Sequence, residues 1–257
     1  MFIKHILPFC DLPLFGSFKQ NCNYMTWKRV FTSSIGRKIV MALTGIFLIT
    51  FLIVHISINA CIFNTLADPN DHGIVFNRAA HFMGSTFLIR VVEIGLFVMF
   101  FIHIIQGFML ANYNLQKRNT QYAVSYGNRG SRWYSRSMGL LGSLILLFLI
   151  VHISQFWVPS RFGELPEVRV QNGDPVHDLF SRMKTVFSQS WVVILYVCGC
   201  VSLGYHLAHG FQSAFRTMGV HNRKYQRMLI VAGNWFAVIV TVGFASMPIS
   251  MYFGLVK

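Results

Sequence analysis

Apolar residues in this chain gather into five long runs, at roughly 38–62, 86–111, 138–158, 190–212 and 229–254. Each is close to the 20 or so residues that a helix needs to cross the hydrocarbon core of a bilayer. The pattern predicts an all-α membrane protein, a bundle of five transmembrane helices. Between the runs the chain turns polar. Residues 63–85 hold His72 and His81, and 159–189 hold the breakers Pro159, Pro166, Gly173 and Pro175, so both read as surface loops. FTSSIGRK at 31–38 reads as a basic entry into the first helix, with Ser33 or Ser34 as N-cap. Residues 1–24 lack the apolar core of a signal peptide, and Met25 is a candidate start. Residues 1–32 therefore read as an N-terminal segment and 33–257 as one bundle.

Composition agrees with the runs. The 257 residues are 54% hydrophobic and only 12% charged, with a mean hydropathy of +0.52, which excludes an ordinary soluble domain. A formal charge of +14 invites a nucleic-acid reading, but the charges alternate by loop. The segments before the first span, between the second and third, and between the fourth and fifth hold 15 of the 22 Lys and Arg and a single acid, Asp11. The other side holds Asp68, Asp71, Glu164, Glu167, Asp174 and Asp178. By the positive-inside rule the N-terminus is expected in the cytoplasm and the C-terminus outside an inner (cytoplasmic) membrane. Five scattered cysteines predict no function, and the absence of C-x-x-C-H excludes covalent haem attachment of the c type.

Histidine is costly inside a span, yet the spans contain His55, His103, His152, His206 and His209. The heptapeptide FLIVHIS occurs at 51–57 and again at 148–154. Four of the histidines lie past the middle of their spans by similar distances. Because successive helices run in opposite directions, His55 and His152 come to one level and His103 and His206 to another. Two pairs at two levels suit two stacked haems, each iron taking one imidazole from each of two facing helices. The levels are about 15 Å apart by helical rise. Gly45 and Gly142, each ten residues before a FLIVHIS histidine, leave room for a flat macrocycle against the backbone. Helix packing in lipid is the competing use of those glycines. Arg37, Lys38, Arg136 and Arg216 are candidates to pair with haem propionates. Glu93, the one acid inside a span, is a candidate for proton exchange together with His81 and Arg90; a local ion pair with Arg90 is the alternative.

These residues resemble the di-haem cytochrome b membrane anchor of succinate:quinone oxidoreductase, the type with one five-helix subunit. The resemblance covers residues 33–254. It rests on TG ten residues ahead of the first histidine, FNRAAHFM at 76–83, RVVEI at 90–94 with FIHIIQG behind it, and YHLAHGFQSAFRTMG at 205–219. It implies axial ligation of two haem b by His55 with His152 and by His103 with His206, His209 being the alternative to His206. It implies a flavoprotein and an iron–sulfur subunit docked on the cytoplasmic loops, and a quinone, menaquinone for this type, as electron partner in the bilayer. Succinate chemistry would belong to the partner subunits, since the chain has no dicarboxylate site. Competing readings are a cytochrome b subunit of a hydrogenase, formate dehydrogenase or nitrate reductase, and a metal or proton transporter. The transporter is disfavoured by spans that hold one acid and, at Pro248, one internal proline.

Overall fold

The computed structural model describes residues 33–118, 133–163, 165–169, 175–220 and 222–256. The segment 1–32, with Met25, and the basic stretch 119–132 lie outside the described residues. The chain forms α1 (Ser34–Ala60), α2 (Ile74–Ser85), α3 (Phe87–Arg118), α4 (Met138–His152), a two-residue antiparallel pair β1 (Glu167–Val168) and β2 (Val176–His177), α5 (Leu179–Phe187), α6 (Ser190–Thr217) and α7 (Arg223–Tyr252). Five helical stretches, Ser34–Ala67, Phe87–Gln116, Met138–Phe162, Ser190–Thr217 and Arg223–Tyr252, are long and apolar enough to cross a membrane. The protein is an integral membrane protein with an all-α bundle.

Local sequence explains where the helices begin. The Ser33 hydroxyl accepts from the Gly36 N–H at 3.0 Å, and the Asn222 side chain accepts from the Lys224 N–H at 2.9 Å. Each satisfies a donor that the first helical turn leaves free. After α6 the chain reverses at Gly219, whose φ of 99° only glycine adopts freely.

The long helices pack antiparallel along the chain. Gly45 of α1 lies against His103 of α3, and Phe51 meets Phe100 with ring centroids 6.3 Å apart. In α6, Gly199 lies under the Phe148 ring of α4, where an added Cβ would come within 2.6 Å, and Gly204 lies against Thr241 of α7. Small residues let these backbones approach closely, which is how helices associate where lipid offers no hydrophobic drive. Helix α7 closes the ring by running beside α1, with Phe244 against His55 at 5.5 Å. Leu147, Ile194, Trp235 and Ile239 are exposed on the outside, as suits hydrocarbon.

The polar segments differ from the expected loops. Residues 63–85 and 159–189 contain α2, α5 and the β pair, and these form a cap over one end of the bundle. Under the cap, Ile62, Phe76, Phe180, Phe187, Val192 and Met247 belong to one buried cluster. Asn77, 1% exposed, ties the cap together. Its amide donates to Asp178 Oδ1 at 2.9 Å and its carbonyl accepts from the Phe180 N–H at 3.0 Å. Asp178 also caps α5 by accepting from the Ser181 N–H at 3.0 Å. Burial alone would raise its carboxyl pKa, but the hydrogen bonds from Ser181 and Asn77 and the charge of Lys184 outweigh that and hold it below the usual carboxylate range. The opposite, basic end carries Arg37, Lys38, Arg136, Arg216, Arg223, Lys224 and Arg227.

Candidate functional site

A cavity of about 2090 Å³ runs through the bundle between α1, α3, α4 and α6. Its walls are mainly apolar, and all of His55, His103, His152 and His206 line it. His55 faces His152 with ring centroids 5.9 Å apart and planes at 87°, and His103 faces His206 at 6.3 Å and 65°. The pairs lie at two levels. Gly45 sits beside His103, and ten residues further along α1 is His55, so the levels are about 15 Å apart at 1.5 Å per residue.

The pair nearer the cap has an aromatic setting. His152 stacks on Phe148 at 5.6 Å and lies 5.5 Å from Phe156 and 5.9 Å from Tyr196, while His55 stacks on Phe51 at 5.1 Å. Asn59 donates to the carbonyl of His55 at 2.8 Å and approaches its Nδ1 at 3.4 Å. Directly after His152 the helix widens into a π turn, Ile153–Trp157. The turn is held from outside, for the Tyr196 hydroxyl donates to Gln155 Oε1 at 2.8 Å and Arg182 Nε donates to the Gln155 carbonyl at 3.1 Å.

The inner pair has glycine walls. An added Cβ on Gly45 would lie 3.6 Å from His103 Cε1, and one on Gly142 would lie 3.8 Å from His206 Cε1. Both glycines therefore serve the His103–His206 level on neighbouring helices. The FLIVHIS histidine of each glycine's own helix lies ten residues on, about 15 Å away along the axis. Nδ1 of His152 and of His206 is sealed in protein with no hydrogen-bond partner, while both side chains line the cavity. A sealed, unpartnered nitrogen is unfavourable by about 1–3 kcal/mol in general.

His209, one turn beyond His206, is half-buried, lines the cavity and packs on Tyr134 at 6.4 Å. It is His206 that stands opposite His103. Lys38, Arg136 and Arg216 line the basic end of the cavity. The Arg37 guanidinium lies 5.7 Å over the Tyr113 ring, and Arg37 is not among the lining residues.

At the capped mouth, Glu93 does not pair with Arg90. Arg161 takes both its oxygens, Nη2 to Oε2 at 2.9 Å and Nε to Oε1 at 3.1 Å, and Trp157 Nε1 donates to Oε1 as well. Arg161 Nη1 also donates to the Gly84 carbonyl at 3.2 Å. The rigid guanidinium fork matches a carboxylate, and the π turn and short helix after α4 bring it there. Arg90 and His81 are exposed at the same mouth. Arg161 falls in a stretch that reads as a surface loop, and Trp157 near the end of an apolar run, where nothing in the sequence marks it as a partner of Glu93.

Among the described residues no group of three or more His, Cys, Asp or Glu side chains converges on one point. No protein-family model, curated protein or solved structure matches the chain. The class its fold defines is a polytopic, all-α membrane protein with an internal cavity.

Proposed function

We propose that the chain is the di-haem cytochrome b anchor of a succinate:quinone oxidoreductase. His55 and His152 would hold one haem b near the cap, and His103 and His206 a second near the basic end. The observation that carries this reading is the spacing within the pairs. Two metal–imidazole bonds of about 2 Å, with about 1 Å from each nitrogen to its ring centre, put the centroids of a bis-imidazole metal about 6 Å apart. The pairs stand at 5.9 and 6.3 Å. The volume agrees, because about 2090 Å³ is twice the upper end of ordinary ligand pockets, roughly 300–1,000 Å³.

Haem b supplies a one-electron iron couple whose potential is set by axial ligands and surroundings. The chain's own residues supply the rest. The imidazoles fix position and orientation, and apolar walls exclude water. Lys38, Arg136 and Arg216 offer charge to carboxylates at the basic end. That end, cytoplasmic in this reading on the strength of the positive-inside rule, would dock the iron–sulfur and flavoprotein subunits. Electrons would then pass to a quinone, menaquinone in this reading, at the capped mouth. There His81 is exposed and Glu93 is held by Arg161 and Trp157, so a proton reaching Glu93 must displace existing bonds.

The test is a reduced-minus-oxidised visible spectrum of the purified chain in detergent, with haem measured per polypeptide. Two low-spin b haems are expected. Folded protein without haem overturns the proposal.

A further inference from the structure

Building on the two-haem reading, we propose that Thr44 is a positioning residue for His103: it fixes the Nδ1–H tautomer and makes the two ligands at the inner level inequivalent. Aligning the FLIVHIS repeats places α4 on α1 at an offset of 97 residues, so that His152 falls on His55 and Gly142 on Gly45. The correspondence extends to contacts, since the two glycines lie 3.6 and 3.8 Å from the Cε1 atoms of His103 and His206. One position earlier it breaks. Thr44 corresponds to Leu141, and each is 3% exposed. The Thr44 hydroxyl lies 3.0 Å from His103 Nδ1, whereas His206 Nδ1 has no partner.

The direction of that bond is part of the proposal and rests on the hydroxyl's other neighbours, the Val40 carbonyl at 2.8 Å and the Met41 carbonyl at 3.2 Å. A threonine hydroxyl has one hydrogen. It goes to the Val40 carbonyl, the nearer acceptor at 2.8 Å, as hydroxyls in helices commonly do. Toward His103 the oxygen is then an acceptor, the ring carries its proton on Nδ1, and Nε2 presents a lone pair. A partner on the outer N–H of a ligating imidazole raises its basicity and holds the ring in place. A more basic ligand favours the oxidised metal, so His103 lowers the potential at its level in a way His206 cannot.

The test uses the full chain with its haems and the variants Thr44→Val, which keeps shape and removes the hydroxyl, and Thr44→Ser, which keeps the hydroxyl. Potentiometric titration followed by low-spin EPR should show one potential rising in Thr44→Val, the other unchanged, haem content unaltered, and Thr44→Ser close to the parent. Potentials that stay put, or that move together, overturn the proposal. Histidine ¹⁵N NMR reads the tautomer without reference to haem. It should report Nδ1–H at His103 and the loss of that preference in Thr44→Val; an Nε2–H ring in the parent protein also overturns it. A chain that binds no haem would refute the two-haem reading while leaving this tautomer measurement to decide on Thr44.

Discussion

Arg161→Met isolates the worth of the clamp at the cavity mouth. Methionine keeps much of the length and packing of the side chain but removes two hydrogen bonds to Glu93 and one to the Gly84 carbonyl. The Glu93 and Arg161 side chains are each 17% exposed, which lies between two known limits. Exposed pairs contribute about 0–1 kcal/mol, and removing one partner of a fully buried pair costs about 3–5 kcal/mol. A loss of about 2–3 kcal/mol is therefore expected. At 2–4 °C per kcal/mol for a chain of this size, unfolding should move down by roughly 4–12 °C. The assay is thermal unfolding of the purified chain in detergent. The decisive comparison is the double variant Glu93→Gln with Arg161→Met. Its neutral amide still accepts from Trp157 and leaves no unpaired charge, so the double variant should be more stable than Arg161→Met alone. Strictly additive losses, or no loss from Arg161→Met, would refute the clamp.

Three further outcomes are expected. Gly199→Ala puts a methyl within 2.6 Å of Phe148, the ring stacked on His152, so it should cost about 1–3 kcal/mol by overpacking and, under the proposed two-haem reading, alter the spectrum of the haem near the cap only. Asp178, with its folded pKa below the unfolded value, contributes stability that is present above about pH 4 and lost as pH falls through the folded value. Acid titration should therefore loosen the cap, and Asp178→Asn should flatten that limb; an unchanged acid limb in Asp178→Asn would contradict it. Glu93→Gln, with both haems retained, should slow quinone-linked turnover if the carboxylate exchanges protons, and unchanged turnover would remove Glu93 from that role.

The five spans were legible because run length alone separates them from the rest of the chain. The level of each histidine could be read because helices alternate in direction and rise by a fixed step. The cap was hidden: α2 and α5 are short, and prolines and glycines nearby made their segments look like loops. Spacing along one helix offers Glu93 only the neighbour Arg90 as an ion-pair partner, whereas its partner lies 68 residues on, past the π turn after His152. In the sequence the TG pair is marked only by its ten-residue spacing to His55. Its threonine and its glycine both meet His103 on α3, a relation across helices that spacing along one helix cannot express.

The central claim, that four histidines hold two haems in the pairs the structure brings together, is tested most directly by counting haem in single His→Ala variants of the purified chain. His55→Ala and His152→Ala should lose the same one of two haems, His103→Ala and His206→Ala the other, and His209→Ala should keep both. Loss of haem in His209→Ala with retention in His206→Ala, or loss patterns that pair His55 with His103, would contradict it.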